Sequence, residues 1–81
     1  MAAQRNKNID ISDGGFEKRL KRLRRARGLT KPELAEKAGL SGRGYHNIES
    51  GKQKRVLEKT VFLLASALEV SPDELLRGKP A

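Results

Sequence analysis

Eighty-one residues, 36% hydrophobic and 35% charged, predict a single domain with one economical core and no room for a second effector domain. The absence of cysteine excludes a disulfide framework, a thiol nucleophile and a thiolate metal site, and a single histidine argues against a multi-histidine site. Eighteen Lys and Arg against ten Asp and Glu leave a net charge of +8, which points to a polyanionic partner: DNA, RNA or an anionic membrane surface.

No apolar run approaches the length of a membrane span, and the opening MAAQRNKNIDIS lacks the apolar stretch of a secretory signal. A cytoplasmic protein without a membrane partner is expected. Residues 1–15 are polar, carry Arg5 and Lys7 against Asp10 and Asp13, and end in Gly14-Gly15. Ile9 and Ile11 alternate like a strand, but a lone five-residue strand finds no obvious partner in the sequence. The segment is expected to be a flexible N-terminal arm; a sharper alternative has Arg5 and Lys7 reaching a DNA groove.

Phe16 to Arg27 predicts a first helix, with Phe16, Leu20 and Leu23 as its apolar stripe and Gly28 beyond its end. Lys18, Arg19, Lys21, Arg22, Arg24, Arg25 and Arg27 fill most other positions. Such a density of like charge needs tertiary packing or a polyanion to offset it. Thr30 and Glu33 form a capping-box pattern, with Pro32 in the first turn of a second helix. Leu34, Ala35 and Ala38 make its apolar stripe, and Gly39 stands where a helix ends with positive φ. Ser41 is an N-cap for a third helix whose Tyr45 and Ile48 face inward, closed by Gly51. A basic loop, Lys52-Gln53-Lys54-Arg55, follows; its cations suit phosphate contact.

A fourth helix is predicted from Val56 to Leu68, with Leu57, Val61, Leu64, Ala65 and Leu68 on one face and Phe62 and Leu63 off it. Ser71-Pro72-Asp73-Glu74 opens a short fifth helix that returns Leu75 and Leu76 to the core, and residues 77–81 form a fraying tail.

At Thr30, Leu34, Ala35, Gly39, Leu40, Ser41, Tyr45, Ile48, Glu49, Gly51 and Lys52 the chain resembles the helix-turn-helix of the Cro/repressor (XRE-type) DNA-binding family, and the likeness extends over residues 16–76. The resemblance implies an all-α fold, a compact five-helix bundle of the lambda-repressor-like type. It implies a salt bridge between Arg24 and Glu49 that ties the first helix to the recognition helix close to the DNA backbone. It also implies that the recognition helix, residues 42–50, enters the major groove of double-stranded DNA. The base-reading candidates are then Ser41, Gly42, Arg43, Gly44, His46 and Asn47, with Arg43 suited to guanine and Asn47 to adenine. The phosphate candidates are Arg24, Lys31, Ser50, Lys52, Lys54 and Arg55. Five of these, Arg24, Lys31, Lys52, Lys54 and Arg55, are cations. Neutralising about five phosphates predicts a log–log salt slope of roughly −4 to −5 per protomer.

The chain departs from the family pattern at several points. Gly42 and Gly44 replace side chains that often read bases, so that modest specificity or specificity helped by DNA shape is expected. Lys31 stands in place of a common glutamine. Tyr45 is larger than usual and its hydroxyl is expected to reach solvent or DNA, while Glu69 replaces a helix-ending glycine. Phe62, Leu63 and Leu76 are the candidates for a homodimer contact that would set two recognition helices one DNA turn apart on a palindromic operator.

The leading expectation is a sequence-specific transcriptional regulator acting as a repressor. The alternatives are an antitoxin-type module that binds a toxin or other protein and represses its own operon, and a non-specific nucleic-acid-binding protein. No enzyme, cofactor or metal is expected, for the sequence has no phosphate-cradling glycine loop and no nucleophile with a base beside it.

Overall fold

The computed structural model describes residues 7–12 and 15–78. Arg5, Asp13 and Gly14 of the expected arm, and residues 79–81 of the expected tail, lie outside them. In chain order the elements are β1 (Asn8–Asp10), α1 (Phe16–Ala26), α2 (Lys31–Ala38), α3 (Gly42–Glu49), β2 (Arg55–Leu57), α4 (Glu58–Leu68) and α5 (Pro72–Arg77).

Local chemistry sets the helix ends. Thr30 Oγ1 accepts from the Glu33 amide at 3.2 Å, and Glu33 Oε1 accepts from the Thr30 amide at 2.8 Å, so the reciprocal box is complete. Gly39 closes α2 at φ 75°, a conformation that costs a side-chain-bearing residue a Cβ clash. Ser41, two residues after Gly39, accepts at its Oγ from the Gly44 amide at 2.9 Å and starts α3. Ser71 Oγ does the same for α5, accepting from the Glu74 amide at 3.3 Å.

The core runs through every helix. Phe16 and Leu20 from α1, Leu34 and the small Ala35 and Ala38 from α2, Tyr45 and Ile48 from α3, Val61, Leu64, Ala65 and Leu68 from α4, and Leu75 from α5 are all buried. α2 packs against both α3 and α4, α1 lies against α3 and α5, and the two alanines keep the α2 surface flat where its neighbours approach.

Five helices match the expected bundle, but the structure adds a two-stranded antiparallel ribbon. β1 pairs with β2 in the register Asn8 to Leu57, Ile9 to Val56 and Asp10 to Arg55. The strand that lacked a partner in the sequence therefore finds one in the segment expected to begin the fourth helix. α4 starts at Glu58 instead of Val56, and the Glu58 amide donates to the Lys7 carbonyl at 2.8 Å. The ribbon thus supplies part of the capping that Leu57, with an apolar side chain, cannot. The period-two alternation also exchanges two roles. Val56 is buried, whereas Leu57, expected on the core stripe, is 38% exposed. Ile11 continues β1 into the core at 4% exposure, its amide bonded to the Lys54 carbonyl at 2.8 Å.

Glu69 ends α4 at φ 60° and ψ 41°, the left-handed conformation that glycine adopts without strain. Two measurements follow from this architecture. Ile11→Ala is expected to lower stability by roughly 2–4 kcal/mol, which depresses the melting temperature by about 10 °C or more. A shift of only a degree would show that the segment is loosely attached. Glu69→Gly is expected to raise stability by roughly 0.5–1 kcal/mol, because relief of the αL strain exceeds the added backbone entropy. A lower melting temperature in that variant would contradict the assignment.

Candidate nucleic-acid interface

The outward face of α3 carries Arg43, His46, Asn47 and Ser50 at the spacing i, i+3, i+4, i+7, which puts them on one side of the helix. Arg43, His46 and Ser50 are exposed and Asn47 is half-buried. Ser41 and Gly42 lie exposed at the helix start, and Gly44 is half-buried behind the cap. Tyr45, Ile48 and Glu49 occupy the opposite side and are buried. The expected base-reading residues are therefore brought together, with most of the side-chain chemistry on Arg43, His46 and Asn47.

The position of α3 is fixed by a buried polar network. Arg24 Nε and Nη2 donate to Glu49 Oε1 and Oε2 at 2.8 and 3.1 Å, a fork-to-fork pair, and Arg24 Nη1 donates to the Leu29 carbonyl at 2.7 Å. Tyr45 Oη donates to Glu49 Oε1 from one turn earlier on α3. Lys31 Nζ, at the start of α2, lies 3.9 Å from Glu49 Oε2. One carboxylate thus gathers groups from α1, α2 and α3, and among the described residues no buried side-chain polar atom lacks a partner.

This arrangement corrects one expectation and fills another. Tyr45 does not carry its hydroxyl to solvent or DNA: the residue is fully buried and spends its proton on Glu49. Of the two roles expected of Arg24, the structure fills the ion pair. Its side chain is 9% exposed and its guanidinium is taken up by Glu49 and the Leu29 carbonyl. Lys31, Lys52, Lys54, Arg55 and Ser50 remain exposed. Arg55 sits on β2 opposite Asp10, which places a carboxylate across the ribbon from one of these cations.

Burial alone would push the Glu49 carboxyl up, but hydrogen bonds from Arg24 and Tyr45, with the charges of Arg24 and Lys31, outweigh it and hold the group below the usual carboxylate range. Burial first, then the hydrogen bond to Glu49, push the Tyr45 hydroxyl well above its ordinary range, so it stays a donor.

Two contributors carried no signal in the sequence. The Gln53 amide donates to the Asn47 carbonyl at 3.1 Å, and the Gln53 side chain donates to the Arg55 carbonyl at 2.8 Å, which folds the basic loop back against the end of α3. Asn47, Lys52 and Gln53 together line a shallow depression there. Arg19 donates to the Leu75 and Leu76 carbonyls, both at 2.6 Å, and joins α1 to the last turn of α5. No described helix is long and apolar enough to cross a membrane.

A family model described as helix-turn-helix matches residues 20–75. The chain belongs to the Cro/repressor (XRE-type) helix-turn-helix family. It is 38% identical over 66 residues to the SPbeta prophage-derived HTH-type transcriptional regulator YonR of Bacillus subtilis, covering 82% of this chain and 60% of that one. It is 41% identical over 58 residues to the regulator YobD of the same organism, covering 72% of this chain and 51% of that one. The chain therefore spans between half and two thirds of the length of these relatives. Among solved structures it is similar to the restriction-modification controller protein C.AhdI from Aeromonas hydrophila, with a TM-score of 0.71 and 36% identity over 75% of this chain and 91% of that one. It is also similar to the biofilm regulator SinR solved in complex with DNA, with a TM-score of 0.73 and 31% identity over 75% of this chain and 97% of that one.

The Glu49 network yields a prediction with a sign. A carboxylate held low in the folded state contributes stability that is present above its ordinary value of 4.5 and lost as pH falls through the lowered value. Tyr45→Phe removes one donor. It is expected to cost roughly 1–2 kcal/mol near neutrality and to move the acid-unfolding midpoint to higher pH. Urea unfolding across an acid pH series measures both, and a variant indistinguishable from wild type in both would show that the hydroxyl does not support Glu49.

Proposed function

We propose that this chain binds double-stranded DNA sequence-specifically and regulates transcription as a repressor, with α3 lying in the major groove. The observation that carries this reading is the outward face of α3, where Arg43, His46 and Asn47 stand clear of the core while the opposite side is locked through Glu49. Arg43 has the two-donor geometry for guanine O6 and N7, and Asn47 has the donor and acceptor for adenine N6 and N7. Ser41 and the backbone at Gly42 and Gly44 lie at the helix start, where the chain can approach base edges. Lys31, Lys52, Lys54, Arg55 and Ser50 serve as the phosphate contacts. With Arg24 turned inward, four cations remain, and the expected salt slope falls to about −3 to −4 per protomer. The relatives named as transcriptional regulators, and SinR bound to DNA, support this reading.

A homodimer on a palindromic operator is part of the proposal. Phe62 is 51% exposed and Leu63 37%, and both lie on α4. Burial of these side chains and of the partly covered Leu76 against a second copy would remove apolar surface from water. The same surface is the one a protein partner would use, and SinR has been solved with SinI, which favours keeping that second reading.

Selection from a random duplex library, with affinity measured at two salt concentrations, tests the proposal. Enrichment of a palindrome with half-sites about one turn apart is expected. Arg43→Ala should weaken the selected site by roughly 10- to 100-fold while leaving non-specific binding almost unchanged. Binding without enrichment would point to a non-specific role, and no binding at low salt would exclude DNA as the partner.

A further inference from the structure

The cations of α1 and its C-cap residue divide into two sets. Arg19, Arg24 and Arg27 each have a protein partner: the α5 carbonyls, Glu49, and Glu69 at 3.5 Å. Lys18, Lys21, Arg22 and Arg25 have none among the described residues, are all exposed, and line one shallow groove along the helix. Their spacing is i, i+3, i+4, i+7, and at 100° per residue they centre about 190° around the helix from Phe16. Arg24, which faces α3, lies about 110° from that centre. The face is therefore turned away from the core and from α3.

We propose that this face is a second, sequence-independent phosphate-binding surface, and that its occupant is a second DNA duplex, brought beside the one held by α3. The inference rests on the DNA-binding reading above. Four cations on one face, with no acid among them, repel one another at i, i+3 and i, i+4, and an array of phosphates removes that repulsion. The chemistry of the face separates a duplex from an acidic protein. Protein interfaces centre on aromatic and apolar anchors and are depleted in lysine, whereas this groove offers only aliphatic stems and charged ends. A duplex presents one charge per about 1.7 Å of axis and demands nothing but cations. Neutralising four phosphates gives the second contact a salt slope of about −3 to −4, steep enough to be lost at high salt while the first contact persists through its base recognition.

The test compares wild type with a variant carrying Lys18→Gln, Lys21→Gln, Arg22→Gln and Arg25→Gln. Each protein is bound to an immobilised duplex bearing the selected site, and a labelled duplex lacking that site is then offered at low salt. Wild type should capture the labelled duplex and the variant should not, with the affinity for the immobilised duplex unchanged within about twofold and the melting temperature equal or higher. The double variant Lys18→Gln, Arg25→Gln should show intermediate capture. Capture retained by the four-residue variant would assign bridging to the two recognition helices of a dimer and overturn the proposal. A weaker, less salt-dependent contact with the immobilised duplex in the variant would place the face on that same duplex and overturn it as well. Failure of wild type to capture the second duplex, with the first still bound, would reject this surface alone and leave an acidic protein as the partner to seek. Failure to bind the first duplex would reject the underlying DNA-binding reading.

Discussion

Glu49 is the constraint on which the remainder of the structure depends. Its carboxylate is enclosed by α1, α2 and α3, and it is tolerable there only because Arg24, Tyr45 and Lys31 converge on it. An unpaired carboxylate in that position would cost several kcal/mol or pull water into the core. A buried pair of this kind is weak evidence for net stability, since well-packed apolar residues of equal volume often serve as well. What it provides is direction. Two parallel bonds from a planar guanidinium fix the rotation of α3 about its axis, and that rotation decides which side chains face outward.

The same reasoning explains why so cationic a first helix can fold. The arginines on its inner and lateral sides are tied to the Glu49 carboxylate or to carbonyl oxygens at the C-terminal ends of α5 and α4, where a positive charge is favoured. Arg19 on the last turn of α5 shows this most clearly, because it satisfies two carbonyls that the short helix leaves open. Much of the charge that is left lies on the solvent face of α1 and around the ends of α3, so the excess positive charge of the described residues is not spread evenly.

Much of the fold was legible because its signals are local. The Thr30–Glu33 box, the Gly39 turn, the Ser41 cap and the Ser71-Pro72 start each depend on residues three or four apart, and each formed as its residue types dictate. The ribbon was illegible for the opposite reason. Ile9 and Val56 are 47 positions apart, and a three-residue strand has no periodicity of its own. Val56 and Leu57 could join either a helix stripe or a strand; the partner decided, and it reversed which of the two is buried. The Arg24–Glu49 pair was legible only through the family resemblance, since nothing local links residues 25 positions apart. Tyr45 was misread because a hydroxyl on a buried face looks unsatisfied until the carboxylate one turn away is seen to point at it.

The rigid frame bears directly on the proposed readout surface, which has few side chains. Gly42 has open space where a Cβ would stand, whereas a Cβ on Gly44 would come within 3.0 Å of Ser41 Oγ, the atom that caps α3. The first turn of α3 is therefore held by its cap and by the buried residues behind it, not by contacts its own side chains could make. On the reading proposed above, little beyond Arg43, His46 and Asn47 would contact bases, so an error in the placement of α3 could not be compensated by additional side chains. In that proposal a short polar readout and a tightly fixed helix go together: discrimination would rest on a few well-aimed hydrogen bonds and on how readily the DNA takes the shape that the backbone can approach.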